Sequence, residues 1–144
     1  METGIDVPFM APDPPISSAA SSAEPLKVCS VVLVVEDDPA SRTAMDFLLR
    51  HFGFNTLLAG GVNEALRHLA TAKPHCVVLD LMLPDGSGER VLAAIRQQNL
   101  PVRVAVATGS NDPALLARVQ NLRPAVVFKK PIDMDRVVDW LRAQ

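Results

Sequence analysis

Three short apolar runs punctuate this chain without alternation: Val31-Val32-Leu33-Val34-Val35, Cys76-Val77-Val78-Leu79 and Ala125-Val126-Val127-Phe128. Successive β-branched residues with no polar face describe strands covered on both sides, as in a parallel sheet. Between the runs the apolar period changes from strand-like to helical. Asp38-Pro39 is a helix start, an Asx cap followed by proline in the first turn, and Ala44, Met45, Phe47 and Leu48 supply an apolar face until His51-Phe52-Gly53. Phe54 to Leu58 reads as a weaker strand. Val62, Ala65, Leu66 and Leu69 recur at helical spacing until Lys73-Pro74 stops them. Val91, Leu92 and Ile95 mark a third helix, Val102 to Ala107 a fourth strand, Pro113 to Gln120 a fourth helix and Ile132 to Leu141 the last. Five β/α units in succession predict an α/β protein of doubly wound type, a parallel sheet with right-handed crossovers and helices on both faces.

Residues 1–26 break this pattern. Pro8, Pro12, Pro14, Pro15 and Pro25 are scattered among Ser and Ala, which offers little apolar surface to bury and predicts a flexible tail ahead of one domain over 27–144. With 49% hydrophobic residues in 144, that domain can build a sizeable core. A formal net charge of −2 carries no basic footprint, so neither nucleic acid nor an anionic membrane is expected as a partner. No apolar stretch reaches the ~18 residues a bilayer span needs, and the first residues are acidic rather than basic. A soluble, cytoplasmic protein is the expectation. Cys29 and Cys76 sit early in predicted strands, where small buried hydrophobes are expected rather than a disulfide or a metal pair.

Charge changes the picture at the strand ends. Glu36, Asp37 and Asp38 follow the first run, Asp80 closes the second and Lys130-Pro131 closes the third. In an open α/β sheet the carboxyl ends of the strands share one crevice. Carboxylates and an ammonium gathered there suit a hard divalent cation and a phosphoryl group. Each residue alone has a plainer explanation. An acidic cluster often marks only a helix N-terminus, which is the role expected of Asp38, and an isolated Asp, Thr or Lys at a strand end is commonly a turn or surface residue. Their joint occurrence is what carries weight. Pro84-Asp85-Gly86-Ser87-Gly88 reads as a turn into a helix, without chemistry. His51, His68 and His75 lack ligand spacing, and Trp140, beside Val137 and Leu141, reads as core packing.

These pieces, in order and at these intervals, resemble a response-regulator receiver domain. Val34-Val35-Glu36-Asp37-Asp38 matches the family's first acidic cluster, and Leu79-Asp80-Leu81-Met82-Leu83-Pro84-Asp85-Gly86-Ser87-Gly88 its phospho-acceptor segment. Val106-Ala107-Thr108-Gly109 matches the strand with the family's hydroxyl residue, and Lys129-Lys130-Pro131 its lysine-proline. The resemblance implies the flavodoxin-like (βα)5 strand order 2-1-3-4-5. It implies that Asp80 accepts a phosphoryl group from a histidine kinase or histidine phosphotransfer protein. It further implies Mg²⁺ held by Asp37 and Asp80 directly, by Glu36 through a water and by the backbone carbonyl of Met82. Lys130 and Thr108 would then contact the phosphoryl oxygens, with Lys129 standing beside Lys130 as an alternative. Such a protein is a switch rather than an enzyme with its own substrate turnover, and with no effector segment after residue 144 its output is expected through contact with a downstream protein.

The chain departs from the family pattern in places. Val127 stands where such receivers carry an aromatic switch residue, and Arg123-Pro124-Ala125 replaces the usual Gly-Ala ahead of the last strand. Gly109 should leave the phosphoryl site open on one side, and with Met82 it marks where the dephosphorylation rate is expected to be set. Three other readings compete. A phosphatase of the haloacid dehalogenase type wants a general acid two residues after its nucleophile, where this chain has Met82. A flavodoxin-like electron carrier needs a phosphate cradle in the first loop, where Glu36-Asp37-Asp38 would repel an anion. A degenerate receiver serving as a phosphorylation-independent binding module is opposed by the complete set Asp37, Asp80, Thr108 and Lys130.

Overall fold

A computed structural model describes residues 29–143, so the expectation of a flexible tail over 1–26 lies outside the described residues. In chain order the elements are β1 (Val31–Val35), α1 (Pro39–His51), β2 (Asn55–Ala59), α2 (Val62–Thr71) and β3 (Cys76–Asp80). A small hairpin of Met82–Leu83 against Gly86–Ser87 follows. The chain then continues through α3 (Glu89–Gln97), β4 (Arg103–Thr108), α4 (Pro113–Asn121), β5 (Val126–Lys129) and α5 (Met134–Arg142). The five long strands are all parallel, in the order β2-β1-β3-β4-β5. This is the doubly wound order expected, with β1 and β3 adjacent at the centre.

Side chains on successive strand residues leave the sheet on opposite faces, so an all-apolar strand feeds two cores. Leu33 and Val35 of β1 pack with Val62, Ala65, Leu69, Val91, Leu92, Ile95, Leu115 and Val119 from α2, α3 and α4. Val32 and Val34 face the other way, onto Met45 and Leu49 of α1 and Val137, Val138 and Leu141 of α5. Most of these side chains are fully buried, and each stabilises the fold by about 1.5–3 kcal/mol relative to exposure. Trp140 packs against this second core beneath the Arg103 guanidinium, 4.5 Å from its ring centroid, so its packing role holds.

Several boundaries differ from expectation for local reasons. The second strand begins at Asn55 rather than Phe54, because the Phe54 N–H closes the end of α1 on the Leu49 carbonyl. The last helix begins at Met134 rather than Ile132, because Asp133 is its cap and accepts from the Asp135 N–H at 3.0 Å. Both cysteines are buried as expected, but the structure joins them as a Cys29–Cys76 disulfide, correcting the reading of two separate thiols. The cause is register. Cys76 pairs with Val32 across the β1–β3 ladder, and the residue leading into β1 comes to 5.8 Å from it between Cα atoms.

Candidate functional site

Asp80 is the last residue of the most buried strand, and Glu36 follows immediately on β1, so two carboxylates emerge side by side from adjacent central strands. Oxygen atoms of Glu36, Asp37 and Asp80 lie within 4.8 Å of one another. Glu36 and Asp80 are buried and Asp37 is exposed. Close like charges of this kind repel by a few kcal/mol per pair near a protein surface, which the chain offsets with one built-in cation. From beyond the end of β5, the Lys130 ammonium donates to Asp80 Oδ2 at 3.0 Å and to Glu36 Oε1 at 3.1 Å. Burial works against the charge of Lys130, but the hydrogen bonds to Asp80 and Glu36 prevail and its pKa is raised. The expected alternative, Lys129, turns elsewhere: its ammonium donates to the Ser110 carbonyl and to Asn111 Oδ1 on the loop after β4.

These groups line an open cleft of about 630 Å³ with Asp38, Ser41, Met82, Gly109 and Ser110. Met82 is largely exposed and its N–H donates to Asp80 Oδ1 at 3.2 Å, so the residue expected to lend a carbonyl is drawn close to the acceptor carboxylate. Thr108 does not line the cleft. It is fully buried one residue behind Gly109, where its hydroxyl oxygen accepts from the Ser110 N–H at 3.0 Å. Glu36, Asp37, Asp80, Met82 and Lys130 thus converge, while Thr108 stands at the rim on a bond to its own loop. Asp38 is held out of the cluster. It caps α1, accepting from the Ser41 N–H at 2.9 Å and the Ser41 hydroxyl at 2.8 Å, and these bonds lower its pKa. Val127 is half-buried against the larger core, with no aromatic in its place. The donor set of three carboxylates consists of hard oxygen ligands only, which fits a small divalent cation and not a soft one.

Two residues of the stretch read as a turn also make structural contacts beyond it. Asp85 reaches back from the hairpin to cap α2, its carboxylate accepting from the Val62 N–H at 2.7 Å and the Asn63 N–H at 3.0 Å. Those backbone bonds, with Asn63 the larger contributor, lower its pKa. Gly61 makes room for it, since a Cβ there would lie 2.6 Å from Asp85 Oδ1. Gly88 opens α3 directly against the acceptor strand, where a Cβ would lie 2.2 Å from the Asp80 carbonyl oxygen. No local pattern reveals either contact. The glycines themselves are the only trace.

An α/β sheet with acidic strand ends facing a strand-end lysine defines a class of phosphoryl-handling proteins. The response regulator receiver domain profile matches residues 32–142, and this chain belongs to that family. It is 35% identical over 114 residues to the probable transcriptional regulatory protein TcrX of Mycobacterium tuberculosis, covering 78% of this chain and 48% of TcrX. It is 29% identical over 117 residues to the CAI-1 autoinducer sensor kinase/phosphatase CqsS of Vibrio cholerae, covering 78% of this chain and 17% of CqsS. The chain therefore spans about half the length of the first relative and a small part of the second. Among solved structures it superposes on the signal receiver domain of a putative LuxO repressor protein from Vibrio parahaemolyticus. There the TM-score is 0.72 at 28% identity, covering 78% of this chain and 86% of that one. No helix among the described residues is long and apolar enough to cross a membrane.

Proposed function

We propose that this chain accepts a phosphoryl group on Asp80 from a phosphohistidine on a kinase or histidine phosphotransfer protein, with Mg²⁺, and thereby switches a protein contact in the cytoplasm. The observation that carries this reading is the Lys130 ammonium shared between Glu36 and Asp80, 3.1 and 3.0 Å from their oxygens, at the mouth of an all-oxygen donor set. Asp37 and Asp80 would hold the cation directly, Glu36 through a water and Met82 through its backbone carbonyl. Bound there, Mg²⁺ would supply positive charge that lets an anionic nucleophile approach an anionic phosphoryl group.

The remaining chemistry belongs to the chain. An Asp80 carboxylate oxygen forms the new bond to phosphorus as the phosphorus–nitrogen bond breaks. The electron pair leaves on the imidazole nitrogen, and because the other ring nitrogen carries the proton, the departing group is a neutral imidazole. Lys130 exchanges its bond to Asp80 for one to a phosphoryl oxygen, and the Thr108 hydroxyl donates its hydrogen to another. These exchanges draw the loop after β4 toward Asp80 and shift the population of the α4-β5-α5 face. Val127 lacks the bulk of an aromatic, so the readout through that position is muted in this chain.

Incubation with Mg²⁺ and acetyl phosphate, read by intact mass, tests the reading. The expected result is one phosphoryl mass on the wild type, absent with EDTA and absent from Asp80→Asn. No adduct on a wild type that binds Mg²⁺ would remove the acceptor role and leave a binding module that keeps the receiver's site.

A further inference from the structure

Arg42 stands in the second turn of α1 with its guanidinium turned to the backbone behind the acidic cluster, not to any of its carboxylates. Its Nη1 donates to the Glu36 carbonyl at 2.8 Å and to the Asp37 carbonyl at 3.3 Å. The far side of this contact is shaped to admit it. At Gly60 an added Cβ would lie 3.2 Å from that Nη1, tighter than ordinary contact. Glu36 is gripped on its other side as well, its own N–H donating to the Ala59 carbonyl at 3.0 Å, and its Oε2 accepts from the Asp38 N–H at 3.2 Å. The carbonyls of two successive peptides, Glu36–Asp37 and Asp37–Asp38, thus accept from one charged donor, and charge-assisted bonds are about twice as strong as neutral ones.

Two cations therefore serve three carboxylates in different ways. Lys130 touches the oxygens that would bind a metal, so it occupies part of the seat. Arg42 touches only carbonyls, so it contributes positive potential and aims the side chains of Glu36 and Asp37 without occupying any ligand position. We propose that Arg42 is a positioning residue of the cation seat, holding the Glu36–Asp37 peptide in the orientation that lets both carboxylates meet Asp80. The inference rests on the Mg²⁺-assisted acceptor reading above, and Gly60 is part of the same device.

The test is Mg²⁺ titration calorimetry on the unphosphorylated wild type, Arg42→Ala, Arg42→Lys and Gly60→Ala, with urea unfolding of each in EDTA. Arg42→Ala is expected to weaken Mg²⁺ roughly 10-fold, the low end of the loss seen when a group supporting metal ligands is removed. Arg42→Lys should recover part of that loss, since one donor and the charge remain. Gly60→Ala, which crowds the guanidinium and meets the Glu64 carboxylate but none of the three in the cation seat, should weaken Mg²⁺ in the same direction. The Glu36 and Asp37 amide resonances should shift in all three variants. Mg²⁺ affinity within twofold of wild type in both Arg42→Ala and Gly60→Ala, whatever happens to the urea midpoint, would overturn the proposal. Should Arg42→Ala fail to fold, Gly60→Ala decides alone. A wild type that binds no Mg²⁺ would instead sink the acceptor reading itself.

Discussion

Asp85 illustrates how much one side chain can join. Its carboxylate belongs to the hairpin that follows the acceptor, yet the N–H groups it satisfies open α2, 22 and 23 residues earlier. Its folded pKa is depressed, so the stability it confers is present above the unfolded value and is lost as pH falls through the folded one. Asp85→Asn is therefore expected to lower the urea midpoint at pH 7, with the gap to wild type closing below about pH 4, near the ordinary carboxylate range. A gap that persists unchanged at pH 3 would assign the effect to shape instead of charge. Gly61→Ala should act on the same pair from the other side, because the new methyl would drive the carboxylate off its two donors.

Among elements, the junction of β3 and α3 is the tightest near the site. Gly88 has an ordinary helical φ of −59°, so only the approach to the Asp80 carbonyl excludes a side chain there. Gly88→Ala is expected to cost roughly 1–3 kcal/mol, as overpacking does, and to slow acetyl phosphate labelling together with the loss of stability. Labelling at the wild-type rate would show that the end of β3 can move without disturbing its carboxylate. Along the same edge, Glu89 of α3 is held by Arg118 of α4 at 2.9 Å. Arg118 is exposed, so solvent screens the pair and a double-mutant cycle should return little coupling. How far these elements could be read in the chain depended on how local their signals are. Apolar runs named the long strands, and Asp38-Pro39 marks a helix start that the structure keeps, Asp38 accepting from the Ser41 N–H. The hairpin of Met82–Leu83 and Gly86–Ser87 is too short for any period to register. The role of Asp85, like the meeting of Cys29 with Cys76, comes from chain crossings of 22 to 47 residues, whereas the contacts of Gly88 and Arg42 are near in sequence but set by how the loops at the strand ends fold.

At the level of the whole molecule, the two cores lie on opposite faces of the sheet and the acidic cluster lies at its carboxyl rim, outside both. Cation binding should then add to stability by mass action without repacking either layer. Millimolar Mg²⁺ is expected to raise the thermal midpoint of the wild type, reversibly with EDTA, and to leave that of a Asp37→Ala, Asp80→Asn double variant unmoved. The convergence of Glu36, Asp37, Asp80 and Lys130 was legible because the parallel fold brings every strand end to one rim. The burial of Thr108 was not, because the expected strand stopped at Ala107 and the fold covers one residue more of β4. Lys130 gives this arrangement a further property. To an arriving divalent ion, its ammonium is a tethered rival for the same oxygens, present at an effective concentration that dilution cannot change. Lys130→Ala should consequently bind Mg²⁺ more tightly than wild type while forming less aspartyl phosphate, two opposite signs from a single lost amine. On the acceptor reading proposed above, the resting protein would carry its own competitor for the cation, and activation would begin with its displacement.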